Sequence, residues 1–400
     1  ETYNGSTWVS SGSVPSYTNG VITINSSHIA SITSDVTLDQ VVVYGDLQVS
    51  GSPTTLTIND GTGTDLIIMN GATLTVSVGA SGGWTFLASA NWQVLSGGTY
   101  VHNTARSVST PLGSATLESG STFIYRYGGS ISCSFANRTY SNLILETTSG
   151  IWTCNISQSS NLTINGDLTV SENVILNTHA MTGTLASNGN VSISGTFNSN
   201  SFDIAGGKTL TINSGGLLEV YPNESVNISG TLINNSGISG LVLKSDATGT
   251  AEMIHSGTVA ATVERYVPVT STAIQHYLSS PVSAATISCI LDNGFGNYNA
   301  YKYNPAASGG INDRWERVFS GDAMNFGVGY TIPYEYTSSI AKTISFSGNL
   351  NSSTNTTAVS NTDGHWNLLG NPYSAPLSVS SFLTANSSVI YGAVYYFDDK

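Results

Sequence analysis

Asn161–Val170 reads NLTINGDLTV, and Asn190–Asn234 reads NVSISGTFNSNSFDIAGGKTLTINSGGLLEVYPNESVNISGTLIN. Within these stretches Leu162-Thr-Ile164, Leu168-Thr-Val170, Val191-Ser-Ile193, Leu210-Thr-Ile212 and Val226-Asn-Ile228 alternate apolar with polar. Alternation at period two turns the aliphatics to one face of a strand and the hydroxyls and amides to the other. Each run is followed by Asn or Ser, residues that turn a chain after a few positions. The strand starts Leu162, Val191, Leu210 and Val226 lie 29, 19 and 16 residues apart, a loose repeat of solenoid size. The stretch predicts an all-β chain whose residues 1–262 form a right-handed parallel β-helix.

Working outward, the same texture starts early. Val41-Val-Val-Tyr-Gly-Asp-Leu-Gln-Val49, Leu56-Thr-Ile58, Leu66-Ile-Ile68 and Leu74-Thr-Val76 read as strands, with Leu56 and Leu74 separated by 18 residues. Residues 1 to about 40 read as the capped end that a solenoid needs, with Trp8 as the plug. Gly and β-branched residues interrupt every candidate helix. Between Gly82 and Trp152 the aromatics Trp84, Phe86, Trp92, Tyr100, Phe123, Tyr125, Tyr127, Phe135, Tyr140 and Trp152 gather beside Arg106, Arg126 and Arg138. Two readings stand open for them: wider coils with an aromatic interior, or an exposed surface that stacks on sugar rings. Cys133 and Cys154, 21 residues apart, are placed either to pair across neighbouring coils or to serve as two small buried apolar residues.

After Val263 the repeats stop. Glu264-Arg-Tyr-Val-Pro268 leads into a Tyr- and Pro-rich region whose strand-like pieces have no 20-residue period, read as a β-sandwich over residues 263–400. Gln275-His-Tyr-Leu-Ser-Ser-Pro281, Tyr301-Lys-Tyr-Asn-Pro305, Trp315-Glu-Arg-Val-Phe319 and Trp366-Asn-Leu-Leu-Gly-Asn-Pro-Tyr373 punctuate it. These segments resemble the β-sandwich modules that follow Ser/Thr/Asn/Gly-rich β-helices in extracellular Bacteroidota proteins exported by the type IX secretion system. The matching residues are His276–Val282, Tyr301–Asn304, Trp315 and Trp366–Tyr373, and Ala393–Asp399 fits the same pattern. The resemblance implies a secreted or cell-surface protein and an architecture, without an activity. Such proteins end in a sorting domain, and none is recognisable before Lys400, so the natural chain is expected to continue. Trp366 reads as a core anchor and Gly370-Asn-Pro372 as the turn after its strand.

Composition narrows the function further. Only 9% of the 400 residues are charged, with 11 Lys+Arg against 24 Asp+Glu and a net charge of −13. Nucleic acid is excluded as a partner, since counterion release needs clustered cations. No run of about 18 apolar residues predicts a membrane span. The pairs Asp203/Glu219 and Asp46/Asp65, 16 and 19 residues apart, are the spacings at which carboxylates could stack on adjacent coils for glycoside hydrolysis. Twelve scattered acids give such spacings by chance, and catalysis is not expected. Asn59-Asp-Gly-Thr-Gly-Thr-Asp65 offers Asp60 and Asp65 as Ca²⁺ ligands, or an ordinary Asx/Gly turn. The six His show no zinc spacing, and no nucleophile elbow, phosphate loop or dinucleotide fingerprint is present.

Three functions follow as expectations. The first is a non-enzymatic extracellular surface protein, a rod-like adhesin, stalk or filament component. The second is a carbohydrate-binding or carbohydrate-active secreted protein, with Tyr301, Tyr303 and Trp315 as its candidate ligand contacts. The third is self-assembly through unpaired strand edges.

Overall fold

A computed structural model describes the chain apart from residues 1, 4–7, 10–13, 52–53, 79–82, 87–89, 105–114, 134, 136–137, 269–273, 293–298, 335–340, 353, 362–365 and 397–400. It is all-β, with about nine solenoid turns and two compact units, Glu1–Phe197 and Asn198–Lys400.

In the first unit, strands Ile29–Ile32, Asp46–Gly51, Thr73–Val78, Thr99–His102, Thr122–Arg126, Asn142–Glu146, Leu168–Val170 and Val191–Ile193 pair in sequence as one parallel wall. Other parallel walls take the runs between them, such as Val21–Ile24, Gln40–Val43, Leu66–Ile68, Trp92–Val94 and Ala115–Leu117. Residues in register on neighbouring coils lie from 17 positions apart (Ile29↔Asp46) to 28 (Thr55↔Gly83). Of the expected spacings, 19 recurs between the paired Val21 and Gln40, whereas the 16 from Leu210 to Val226 and the 18 from Leu56 to Leu74 join strands of different walls. Each coil holds more than one strand, so consecutive alternating runs belong to different walls: Leu56 and Leu74 never stack on each other.

Period-two alternation appears as stacked inward columns. Leu47, Leu74, Tyr100, Phe123, Leu143, Leu168 and Val191 share one register position on successive coils, and all are at most 2% exposed. Burying one such side chain is worth roughly 1.5–3 kcal/mol, and repetition from coil to coil supplies the core. Corner residues repeat as well. Asn142 Oδ1 accepts the Asp167 N–H (3.0 Å), Asp167 Oδ1 accepts the Asn190 N–H (2.8 Å), and Asn188 Nδ2 donates to Asn165 Oδ1 (3.0 Å). The Asn and Asp punctuation thus satisfies backbone and side-chain groups that each corner would leave unpaired.

Seven of the gathered aromatics are interior, Tyr127 is partly exposed, and the side chains of Trp84 and Phe86 lie outside the described residues. Trp92, Tyr100, Phe123, Tyr125, Phe135, Tyr140 and Trp152 are at most 2% exposed and meet ring to ring, as in Trp92–Tyr100 (5.3 Å), Phe123–Tyr140 (5.2 Å) and Tyr125–Trp152 (5.2 Å). Burial pushes the Tyr125 and Tyr140 phenols up to about 12. Cys133 and Cys154 form a disulfide beside this cluster. Arg126 pairs with Glu146 one coil on, and Arg106 lies outside the described residues.

In the second unit, parallel pairing continues between Phe202–Ile204, Ser225–Ile228 and Glu252–Ile254, and between Leu217–Val220 and β1 (Leu241–Leu243). Strand β2 (Ala260–Val267) pairs parallel with β1 through Val242↔Thr262 and Leu243↔Val263. Along its other edge it pairs antiparallel with a strand at Lys342–Leu350, from Ala260↔Asn349 to Val267↔Lys342. The change from coils to antiparallel sheet falls within this one strand. A second, four-stranded antiparallel sheet is built from β3 (Ile274–Leu278), β4 (Ala300–Tyr303), β5 (Trp315–Val318) and β6 (Tyr330–Tyr334), in the order β3-β6-β4-β5. The strand Lys342–Leu350 is β7, and a short helix, α1, covers Val379–Ala385. Among the described residues no helix is long and apolar enough to cross a membrane.

Candidate functional site

Cross-strand partners in an antiparallel sheet project to the same face. Ala300 opposes Val318, Lys302 opposes Tyr330, and His276 opposes Ile332. Ala300, Val318, Tyr330, Ile332 and His276 are all buried, so this face is the covered one. The other face carries Tyr303 opposite Trp315, Tyr301 opposite Arg317, and Thr331 between Tyr301 and Tyr277. The three candidate residues Tyr301, Tyr303 and Trp315 are thus brought together on the side away from the core.

Their arrangement suits a flat ligand. The Tyr303 and Trp315 rings meet edge to face at 5.2 Å, which holds both still while leaving part of each accessible. Arg317 is exposed, and its Cζ lies 5.1 Å from the centre of the exposed Phe319 ring. Between Tyr277 and Tyr301, the Thr331 hydroxyl is buried and has no hydrogen-bond partner among the described residues. Tyr277 donates from its hydroxyl to Gln275 Oε1 at 3.1 Å, and burial raises its pKa. The covered face anchors the hairpin: Lys302 Nζ and Glu316 Oε2 lie 3.4 Å apart, and Asn304 Nδ2 donates to Glu316 Oε1. That amide bond, more than the nearby Lys302, lowers the Glu316 pKa.

At the end of this sheet residues 368–370 pair antiparallel with 327–329 through Val328↔Leu369 and serve as the roof of a cavity. Gly329 donates its N–H to the Leu368 carbonyl (3.1 Å), and Gly370 donates to the Gly327 carbonyl (3.0 Å). A Cβ on Gly329 would lie 2.6 Å from Leu368 Cγ, and one on Gly370 would strike the Ser279 side chain. Glycine fits both points because a neighbouring side chain, Leu368 or Ser279, fills the space a Cβ would take. Asn371 then closes the turn, its Oδ1 accepting the Tyr373 N–H (3.0 Å) and its Nδ2 donating to the Ala375 carbonyl (2.8 Å). Under this roof lies a cavity of about 320 Å³, lined by Arg265, Tyr277, Ser279, Asn371 and Tyr373 among others.

Trp366 is not the core anchor its motif suggested. It is 54% exposed, with its ring 4.9 Å from that of Tyr395, because Leu368 and Gly370 make the packing contacts of the segment. Asp60 and Asp65 are not brought together as cation ligands. Asp60 is exposed, whereas Asp65 is fully buried and accepts the N–H groups of Gly61 (2.8 Å) and Asn91 (2.7 Å), one on each oxygen. The loop is an Asx/Gly corner, and no cluster of three His, Cys, Asp or Glu suited to a metal occurs among the described residues. The acid pairs do not stack: Asp203 is in register with Asn227 and Glu219 with Val242, while Asp46 pairs with Thr73 and lies on another wall from Asp65.

Arg265, Tyr277, Ser279 and Arg317 escaped the sequence reading. All four stand in segments that drew notice, but their facing follows from pairings between strands far apart in sequence. No curated protein and no solved structure matches the chain. A family model described as a domain of unknown function, DUF8693, matches residues 184–400, more than half of the chain, and the chain belongs to that family.

Proposed function

We propose that the chain is a non-enzymatic extracellular surface protein of adhesin or stalk type, whose solenoid coils act as a spacer and whose second unit binds carbohydrate. The observation that carries this reading is the set of half-exposed aromatics Tyr301, Tyr303 and Trp315, placed with the exposed Arg317 on the sheet face opposite the buried Ala300 and Val318. Sugar rings present flat C–H faces that stack on such rings, and their hydroxyls accept hydrogen bonds from a guanidinium. The disulfide Cys133–Cys154 supports an oxidising, extracellular setting. We read the two antiparallel sheets as the β-sandwich module, exported by the type IX route that the sequence resembles.

The test is a glycan array of neutral and acidic oligosaccharides probed with the 400-residue chain and with Trp315→Ala. The expected result is binding by the parent and at least a tenfold loss in the variant, with an unchanged far-ultraviolet circular dichroism spectrum. Binding to no glycan, binding indifferent to Trp315→Ala, or release of reducing ends from a polysaccharide would each overturn the reading.

A further inference from the structure

Strand β2 places a charge where the pattern calls for an apolar residue. Ala261, Val263 and Val267 are at most 2% exposed and share one face of the strand, and Arg265 occupies the same face between Val263 and Val267. Its cross-strand neighbours on β7 are apolar too: Val263 opposes Phe346 and Arg265 opposes Ile344, both fully buried. A cation in a core row is informative, because desolvating a guanidinium costs free energy unless acceptors meet its donors. Arg265 has five N–H donors. Nη1 donates to the Glu264 carbonyl at 2.9 Å, and no carboxylate of the described residues forms an ion pair with it. Burial lowers its pKa to about 10, and the more distant Glu252 opposes that shift, so the group stays charged at neutral pH.

Arg265 also borders a cavity. Arg265 lines the space of about 320 Å³ under the 368–370 roof, together with Tyr277, Ser279, Asn371 and Tyr373. The Ser279 hydroxyl is buried with no hydrogen-bond partner among the described residues. Asn371 and Tyr373 belong to the turn that closes the roof. The cavity shares Tyr277 with the sheet face that carries Tyr301, the two standing in one cross-strand row with the buried Thr331 between them. Two strand spacings separate Tyr277 from Tyr301, roughly 10 Å. A short oligosaccharide stacked on Tyr301 and Trp315 would reach the cavity with its end.

We infer that this cavity receives the carboxylate of a sugar acid, so that the oligosaccharide bound by the face is one that contains uronic acid. This rests on the carbohydrate-binding reading above. The planar fork of Arg265 matches a carboxylate in bidentate fashion, a fit that a neutral sugar's hydroxyls do not reproduce. Ser279 then supplies a further donor, and the aromatic face supplies contact area that is indifferent to charge. With Glu264 held by Lys244 at 2.9 Å, Arg265 is the one cation lining the cavity among the described residues.

The experiment is isothermal titration of the 400-residue chain with trigalacturonate, its methyl ester and a neutral galactotriose, repeated with Arg265→Gln. The expected result is that trigalacturonate binds at least tenfold more tightly than either neutral sugar, and that Arg265→Gln removes this preference while leaving the neutral affinity in place. If Arg265→Gln fails to fold, the acid-against-ester comparison on the parent chain decides. Equal affinity for acid and ester, or an undiminished preference in Arg265→Gln, overturns the inference. Should neutral sugars bind through Trp315 with no preference for the acid, the cavity assignment fails alone. Should no sugar bind, the carbohydrate reading fails with it.

Discussion

Two aromatic sets are carried by strands in this chain, one in the coils around Trp92–Trp152 and one on the sheet that holds Tyr301, Tyr303 and Trp315. Both occupy alternate positions of their strands, and both meet ring to ring at about the same distance, 5.2 Å for Tyr125–Trp152 and for Tyr303–Trp315. They differ in what lies on the opposite face of their strands. In the coils the alternate positions turn outward, as Thr122, Ile124 and Arg126 do around the inward Phe123 and Tyr125, so the rings replace the Leu and Val of neighbouring turns. On the sheet the alternate positions are buried Ala300 and Val318, which turns the rings outward. Composition and periodicity are shared; the partner of the opposite face decides whether an aromatic stabilises or recognises.

The contrast can be broken first by truncation of the inner set. Trp152→Ala removes a fully buried indole and is expected to cost about 3–5 kcal/mol, read as a lower midpoint in urea unfolding. A loss below about 1 kcal/mol would mean that the coils collapse around the gap. Next comes the disulfide next to that set. Replacing Cys133 and Cys154 together by Ser is expected to cost about 2–4 kcal/mol through the closed loop, with glycan binding by the intact fold unchanged.

Alkaline pH sharpens the same comparison. Burial pushes Tyr125 and Tyr140 up to about 12 from an ordinary 10.0, so the folded chain keeps protons that the unfolded chain gives up between those values. Stability is full below pH 10 and declines as pH rises toward 12. Urea midpoints from pH 8 to 12 check this, and a flat profile would contradict the buried placement of both phenols. The smallest stability effect belongs to the outer set. Trp315→Ala gives up one edge-to-face contact and a half-buried ring, about 1 kcal/mol, while sugar binding falls at least tenfold.

Much of the fold was legible in the alternating runs, since Leu162, Leu168, Val191, Leu210 and Val226 all face inward as period two demands. The coil length was not, because several strands per turn look alike locally and their equivalence appears only in the pairing of, for example, Leu143 with Leu168. The sharing of a face by Tyr301 and Tyr303 follows from their spacing alone. That Trp315 and Tyr277 join them depends on hairpin and long-range register, which no local pattern encodes. Arg265 was hidden for a different reason: Val263-Glu-Arg-Tyr-Val267 reads as the end of a repeat, and only the burial of Ala261, Val263 and Val267 shows that Arg265 sits in a core row. Trp366 shows the converse, a large ring in a motif whose packing is done by Leu368 and Gly370.

The most direct measurement is hydroxyl-radical footprinting with mass-spectrometric readout, on the free chain and with saturating trigalacturonate. The expected result is that Trp315 and Tyr303 oxidise in the free chain and are shielded by the sugar, while Trp92, Tyr140 and Trp152 remain unmodified in both. Oxidation at Trp315 that is unchanged by any bound oligosaccharide, or oxidation of Trp152 at a comparable rate, would contradict the division of the aromatics into a core and a binding face.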